Sequence, residues 1–376
     1  MATPYRNPML CLAWLAGTAL LAGGCTTVER QYEAILLLGD LQTVPGETSR
    51  LQRRVGDPEV ETLRYHGETG LQVADLYRPP GESRGNLVLI HGFTEEGKDD
   101  PRLTAFAESL ARSGFRVLAP HIEQIRQLDW GPRSVDEVTD ALAHMEDRPG
   151  SRDLPTGAAT LSLMSGPVLL AASSPHHAEQ VDFLVTIGGY YDVYAWIAFL
   201  TTGYDPLSGR RMDDGPQVDV KWALLDALSY RADDPEVRGA LARIAVRRRI
   251  NPDADVDSLV ARLDGDALAL FELLDNTDPE RVQARLDALP DQYRDDLDAL
   301  NIASRDLTDL PVELILIHGK DDTVIPISHS ERLAERAPRA TLYRSGGLMH
   351  VELSPGPLDV WPLWRAAAAL LAQRDP

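Results

Sequence analysis

The sequence of 376 residues predicts an α/β protein with a doubly wound, mostly parallel sheet and a helical cap insertion. Two segments, Asn86–Phe93 (NLVLIHGF) and Val312–Pro326 (VELILIHGKDDTVIP), each run from an apolar stretch into a His-Gly turn. Strand and helix signals alternate over residues 86–192, which is typical of parallel strands joined by helical crossovers. Residues 193–310 show helical periodicity and no convincing strand. We therefore expect ligands at the carboxyl ends of the strands, where open α/β sheets bind them.

The first half of the core follows from local patterns. Helix Pro101–Ser113 has proline at its start and Gly114 just past its end, the expected asymmetry. Ser134 and Glu137 form a capping-box pattern at the start of another helix. We predict strands at Val60–His66, Leu71–Arg78, Leu87–Ile90, Arg116–Pro120, 155–163 and Val181–Ile187, and further helices at Val135–Met145 and Pro167–Ser174.

The helical block is interpreted as a lid, because long excursions at strand ends tend to be functional. Its predicted helices are Trp196–Leu200, Ala223–Tyr230, Val237–Arg247, Asp257–Leu263, Ala267–Leu274 and Pro279–Leu289. After it we predict a strand from Val312, a helix at Ser328–Ala337, a strand at Thr341–Tyr343 and a helix at Leu358–Ala372. The predicted division is a signal peptide (1–25), a tether with an N-terminal element (26–59), the core (60–192 and 311–376) and the cap (193–310).

The N-terminus has the features of a targeting segment. Arg6 precedes the apolar run Met9–Ala22, which is short for a membrane span, and Gly23-Gly24-Cys25 follows it. This arrangement resembles a bacterial lipoprotein signal, in which Cys25 would carry the lipid and Thr26 would favour the outer membrane. The resemblance implies an exported protein of the cell envelope, anchored to a membrane through Cys25. An ordinary cleaved signal and an uncleaved anchor are the alternatives.

The composition argues against several classes of ligand and cofactor. The net charge of −21 argues against nucleic acid, since phosphate binding needs clustered Lys and Arg. The two cysteines are Cys11, inside the signal, and Cys25, so no disulfide or thiolate metal site is expected. Adjacent histidines at 176–177 are a weak metal candidate, and we predict no metal site. No phosphate-binding or dinucleotide fingerprint is present, so no cofactor is expected.

The residues at the strand ends resemble those of the α/β-hydrolase family over residues 60–192 and 311–373. In that family a strand ending in His-Gly carries the oxyanion loop, and here the resemblance implies that the Phe93 N–H is a donor. The family acid follows a strand-end glycine by three residues, which selects Asp322 over Asp321. The family histidine precedes the last helix and corresponds to His350. An acid followed by a late histidine fits the order Ser…Asp…His.

The nucleophile is harder to assign, because the sequence has no G-x-S-x-G elbow. In one register Ser162 attacks, with the Leu163 N–H as second oxyanion donor, although Thr160 and Met164 replace the flanking glycines. In another register Met164 takes the nucleophile position and the protein has no competent nucleophile. Ser165 is the third choice.

The primary hypothesis is a serine hydrolase, carboxylesterase-like, that cleaves an ester or amide through Ser162, His350 and Asp322. One alternative is a catalytically degenerate envelope protein with a binding or scaffolding role. A second is a peptidase acting on short peptides.

Overall fold

A computed structural model describes residues 25–375 except 44–45, 128, 175–179, 213–214 and 354–358. Most of the predicted signal peptide and the histidines at 176–177 therefore lie outside the described residues. The helices are Cys25–Leu41, Arg50–Val55, Pro101–Arg112, Glu123–Arg126, Arg133–Glu146, Ser165–Ala172, Val193–Thr202, Val218–Ser229, Pro235–Ile250, Asp257–Val260, Gly265–Leu274, Val282–Asp287, Asp291–Leu300, Ser328–Arg336 and Val360–Gln373. Short 3₁₀ turns are Gly97–Asp99, Ser162–Met164, Pro279–Arg281 and Ile302–Ser304.

An eight-stranded sheet forms the centre of the molecule, in the order β1-β2-β4-β3-β5-β6-β9-β10. Its strands are β1 (Glu59–Gly67), β2 (Gly70–Arg78), β3 (Gly85–Ile90), β4 (Phe115–Pro120), β5 (Thr156–Leu161), β6 (Phe183–Ile187), β9 (Glu313–Gly319) and β10 (Ala340–Ser345). Strand β2 runs antiparallel to both of its neighbours, and every other pairing is parallel. The predicted fold class is confirmed: this is an α/β-hydrolase fold.

Alternation along the strands separates two hydrophobic cores, one on each face of the sheet. In β3, Val88 and Ile90 join the core beneath the helical insertion, whereas Leu87 and Leu89 join the core on the opposite face. Side chains two apart in a strand point the same way, so the continuous apolar run of β3 fills both cores. The parallel strands are therefore buried on both sides, and their carboxyl ends meet at one edge.

The N-terminal segment, predicted as a tether with an N-terminal element, contains the two helices Cys25–Leu41 and Arg50–Val55. Helix Cys25–Leu41 packs into the second core, with Ala34 and Leu37 fully buried. The Trp364 Nε1–H of the last helix donates to the Gln31 carbonyl at 3.0 Å. Arg374 forms an ion pair with the carboxylate of Glu33. Helix Cys25–Leu41 is thus held against the domain by residues 31–37.

The helical insertion lies between β6 and β9. Contrary to the sequence prediction, it contains two short strands, β7 (Tyr204–Asp205) and β8 (Arg210–Arg211), which pair with each other. Two residues are too few to produce a strand periodicity. Helix Asp291–Leu300 was also not predicted, although Tyr293, Leu297 and Leu300 are buried at helical spacing. Of the helices described, none combines the length and the apolar character needed to cross a membrane.

Candidate active site

Ser162 occupies the turn between β5 and the following helix. Its φ is 55°, in the left-handed region that non-glycine residues seldom adopt. Within the described part of the chain, His350 is the one other non-glycine residue with positive φ, at 56°. The 3₁₀ turn Ser162–Met164 then leads directly into helix Ser165–Ala172. Backbone strain of this kind is held by the surrounding structure, and here it directs the Ser162 side chain toward the carboxyl edge of the sheet.

A chain of hydrogen bonds links three of the residues named from the sequence. Ser162 Oγ lies 2.7 Å from His350 Nε2, and His350 Nδ1 lies 2.9 Å from Asp322 Oδ2. The other carboxylate oxygen, Asp322 Oδ1, accepts the backbone N–H groups of Val324 at 2.8 Å and Ile325 at 3.0 Å. Both carboxylate oxygens of Asp322 therefore accept hydrogen bonds, and these bonds fix the side chain in one orientation.

The buried carboxylate stays ionised. Asp322 is fully buried, and burial alone would raise its pKa. Hydrogen bonds from His318 and His350 outweigh that effect and hold the pKa of Asp322 well below its usual range. Because an ionised carboxylate can only accept, His350 Nδ1 carries the proton donated to it. The Nε2 atom of neutral His350 is then free to accept the Ser162 hydroxyl proton.

The two other nucleophile registers do not reach His350. Ser165 is buried, and its Oγ accepts the Tyr190 backbone N–H at 3.0 Å. Met164 is fully buried in the core beneath the cap. Of the three positions weighed from the sequence, the structure brings Ser162 to the histidine.

Glycines outside the usual elbow positions allow the close packing around Ser162. A Cβ at Gly166 would overlap the Tyr190 hydroxyl, and a Cβ at Gly189 would overlap the Ser165 side chain. Gly188 has φ 62°, and a Cβ there would lie 3.1 Å from His350 Nδ1. Sequence reasoning weighed Gly166 as the final glycine of an elbow, but it gave Gly188 and Gly189 no role. The Gly188-Gly189 pair directly after a strand was the available signal, since paired glycines mark close backbone approach.

The predicted oxyanion loop is anchored by a buried histidine. His91 Nδ1–H donates to the Gly92 carbonyl at 2.8 Å, and its Nε2 accepts the Ile122 N–H at 3.0 Å. Burial lowers the pKa of His91 to about 4, so the ring is neutral at physiological pH. Lys98, further along the loop, pairs with the buried Asp75 at 2.8 Å. These contacts fix the backbone on both sides of Phe93.

The second predicted donor belongs to Leu163, which follows Ser162 in the 3₁₀ turn. The first N–H groups of a helix have no partner within it and commonly point at an anion or an acceptor. The structure thus places Phe93 and Leu163 at the carboxyl ends of the neighbouring strands β3 and β5. Their role as oxyanion donors stays a prediction.

Two further polar residues, His329 and Asp321, do not take part in this chain of hydrogen bonds. His329 is fully buried, and its Nδ1 accepts the Tyr191 N–H at 3.2 Å. Asp321 is exposed. Over the residues that the structure describes, no group of three or more His, Cys, Asp or Glu side chains is placed to hold a metal ion.

No protein-family profile matches the sequence, and no curated protein matches it at a significant level. Among solved structures, an esterase of Pyrobaculum calidifontis is 16% identical with a TM-score of 0.45, covering 100% of this chain and 94% of its own. A meta-cleavage product hydrolase of Pseudomonas fluorescens IP01 is 22% identical with a TM-score of 0.43, covering 83% and 97%. Dienelactone hydrolase of Anabaena variabilis is 14% identical with a TM-score of 0.44, covering 83% and 96%. Likeness at this level adds nothing to the strand order and site geometry of the chain itself.

Proposed function

We propose that this protein is a serine hydrolase that cleaves an ester or amide by acyl transfer. The observation that carries the proposal is the continuous chain from Ser162 Oγ through His350 to Asp322, with links of 2.7 and 2.9 Å. A hydroxyl, an imidazole and a carboxylate in this order form the arrangement that activates serine as a nucleophile.

In the proposed reaction the Ser162 oxygen attacks the acyl carbon while its proton passes to His350 Nε2. Asp322 stabilises the imidazolium that forms and keeps its Nδ1–H directed inward. The N–H groups of Phe93 and Leu163 would receive the negative charge on the acyl oxygen. His350 then protonates the leaving alcohol or amine. A water molecule next gives a proton to His350 and attacks the acyl carbon, and Ser162 leaves with that proton as the acid is released.

A second candidate is a catalytically degenerate protein that retains the fold for binding. It is favoured by Thr160 and Met164, which stand where the family has glycines. The positive φ of Ser162 weighs against it, because a strained backbone is costly to keep at a position without a task.

We also propose that the protein is exported and lipid-anchored at Cys25. The signal-like N-terminus, with Gly23-Gly24-Cys25 after the apolar run, supports this proposal. Because helix Cys25–Leu41 packs against the domain, the catalytic domain would sit close to the membrane surface instead of on a long tether.

Labelling with a fluorophosphonate probe tests the hydrolase proposal. We expect the wild-type protein to be labelled, and Ser162→Ala and His350→Ala to lose labelling. Ser165→Ala tests the competing register, and the exposed Ser208 provides a matched serine-to-alanine control. Both of these variants should be labelled like the wild type, provided that Ser165→Ala folds.

An unlabelled wild-type protein with a cooperative unfolding transition would count against catalysis and favour the degenerate alternative. Labelling that survives Ser162→Ala and disappears in Ser165→Ala would move the nucleophile to Ser165. Circular dichroism of each variant separates loss of the nucleophile from loss of the fold.

A further inference from the structure

Three arginines line a single concavity of about 340 Å³ at the edge of the sheet opposite Ser162. Arg78 ends β2, Arg116 lies at the start of β4, and Arg148 follows the helix that precedes β5. These are the amino ends of the parallel strands, whereas Ser162 follows the carboxyl end of β5. A six-residue strand separates the two edges by about 20 Å. The concavity, here called the arginine pocket, is therefore distinct from the candidate active site.

Two of the three guanidinium groups form no ion pair with a carboxylate of the described residues. Arg116 donates to the Pro149 carbonyl at 3.3 Å and to Ser151 Oγ at 3.1 Å. Arg148 donates to His144 Nε2 at 3.3 Å. Within the described residues, neither guanidinium lies within ion-pair distance of Asp or Glu. The chain has 58 acidic and 37 basic residues, so carboxylates were available in excess to neutralise them.

Arg78 is the neutralised member of the group. It lies 3.5 Å from Glu59, which also lines the pocket, and it forms an ion pair with Glu61. Both glutamates are more than half exposed, with side-chain exposures of 76% and 51%. Exposed ion pairs contribute little free energy, so an incoming anion can displace these carboxylates toward solvent.

The unpaired arginines are also partly buried next to each other. Burial, and then the neighbouring positive charges of Arg148 and Arg78, lower the pKa of Arg116. Burial and the charge of Arg78 likewise lower the pKa of Arg148, against an opposing effect of Glu61. Like charges held together in a concavity are unfavourable unless an anion joins them. The cluster of like charges therefore has an electrostatic cost that a bound anion would reduce.

We propose that the arginine pocket binds a phosphate group, as free phosphate or as the headgroup of an anionic phospholipid. Guanidinium groups are planar and bind phosphate oxygens through two parallel hydrogen bonds, which a single lysine cannot do. The volume exceeds that of one phosphate and accommodates a substituted one. This proposal does not depend on the hydrolase activity, since it concerns the opposite edge of the sheet.

The pocket lies close to the N-terminal helix, which makes a lipid headgroup a candidate source of the phosphate group. Ser83 lines the pocket, and the next residue, Arg84, forms ion pairs with Glu33 and Asp375. Glu33 belongs to helix Cys25–Leu41, so the pocket lies near the segment that would leave the membrane. A phosphate site there would hold the anionic surface against the amino edge of the sheet and leave the edge with Ser162 facing away.

Thermal unfolding of the full chain with inorganic phosphate, at ionic strength matched with sodium chloride, tests the proposal. A ligand that binds the native state raises the unfolding midpoint with its concentration. We expect such a rise for the wild type and at least about tenfold weaker binding for Arg116→Gln and for Arg148→Gln, since each loses charge-assisted hydrogen bonds. Arg262→Gln, an exposed arginine of the cap, makes the same charge change and should bind like the wild type.

Two short-chain lipids distinguish a lipid headgroup from free phosphate as the ligand. They are dihexanoyl phosphatidic acid and dihexanoyl phosphatidylcholine, both used below their micellar concentrations. Tenfold tighter binding of phosphatidic acid than of inorganic phosphate assigns the pocket to a headgroup, and equal binding assigns it to free phosphate.

Without phosphate, both glutamine variants should be at least as stable as the wild type, a result that a purely structural arginine would not give. If a glutamine variant fails to fold, Arg148→Lys keeps the charge and should bind with intermediate affinity. No phosphate-dependent shift in the wild type, or the same shift in all variants, overturns the proposal.

Discussion

The two His-Gly turns of this protein share a dipeptide and differ in what the histidine holds. His91 directly follows β3, is fully buried, and accepts the Ile122 backbone N–H on Nε2. His318, in β9, is equally buried, but its Nε2 lies 2.8 Å from the Ile325 carbonyl oxygen and 3.4 Å from Asp322 Oδ2. One ring nitrogen is therefore an acceptor in the first turn, and the equivalent nitrogen is a donor in the second.

This difference assigns separate tasks to the two turns. The first turn contains no charged group and uses a neutral ring to fix the backbone next to Phe93. The second turn carries the carboxylate, and His318 binds both the loop backbone and the charge of Asp322. The same local sequence thus anchors the backbone beside Phe93 in one place and a carboxylate in the other.

The largest effect should come from removing the charge that distinguishes the second turn. In Asp322→Asn, the side-chain oxygen can still accept the N–H groups of Val324 and Ile325, so the loop should hold. The amide nitrogen then faces His350 Nδ1 and forces the wrong tautomer. We expect the rate of fluorophosphonate labelling to fall roughly 10³–10⁴-fold.

The adjacent Asp321 supplies the control, because it is exposed and carries the same charge. Asp321→Asn should label within about twofold of the wild type, as surface substitutions away from such a site usually do. Equal losses in the two variants would contradict the assignment of the acid to Asp322.

A smaller effect should separate the two glycines that follow the histidines. A Cβ at Gly319 would overlap the Leu348 carbonyl oxygen, a backbone atom two residues before His350, whereas a Cβ at Gly92 meets nothing within 4 Å. Gly319→Ala should therefore lower the free energy of unfolding by roughly 4 kcal/mol or more, and Gly92→Ala by at most about 0.5 kcal/mol. Urea unfolding of both variants measures the difference, and equal destabilisation would show that the two turns are packed alike.

The sequence was sufficient for the features that depend on local pattern. Buried apolar runs followed by turn residues located the sheet strands, and the resemblance to the α/β-hydrolase family pointed to Asp322 and His350, which the structure brings together. It was insufficient for Ser162, because Thr160 and Met164 remove the glycine signal. The positive φ at Ser162 depends on packing against distant residues, and no local pattern encodes that.

The arginine pocket also depends on contacts between residues distant in the sequence, and local patterns did not predict it. Arg78, Arg116 and Arg148 lie far apart in the chain, and each in isolation resembles an ordinary surface arginine. They meet because β2 pairs with β4 and because the helix before β5 ends beside them. Likewise, helix Cys25–Leu41 packs against the final helix, which comes from the other end of the sequence.

The smallest of the three effects concerns the neutral histidine of the first turn and appears as a pH dependence of stability. Burial lowers the pKa of His91 to about 4, below the value of about 6.5 for an unfolded chain. Between these values the unfolded state binds more protons, so stability falls as the pH drops from about 6.5 toward 4, by on the order of 3 kcal/mol.

His91→Gln should flatten this part of the profile, because glutamine does not titrate. Urea unfolding of wild type and variant at pH 7, 5.5 and 4.5 tests the expectation. Burial also lowers the pKa of His329, to about 3, but that contribution is common to both proteins and cancels in their difference. Parallel profiles would mean that His91 can be protonated in the folded state, and the contrast between an uncharged first turn and a charged second turn would then fail.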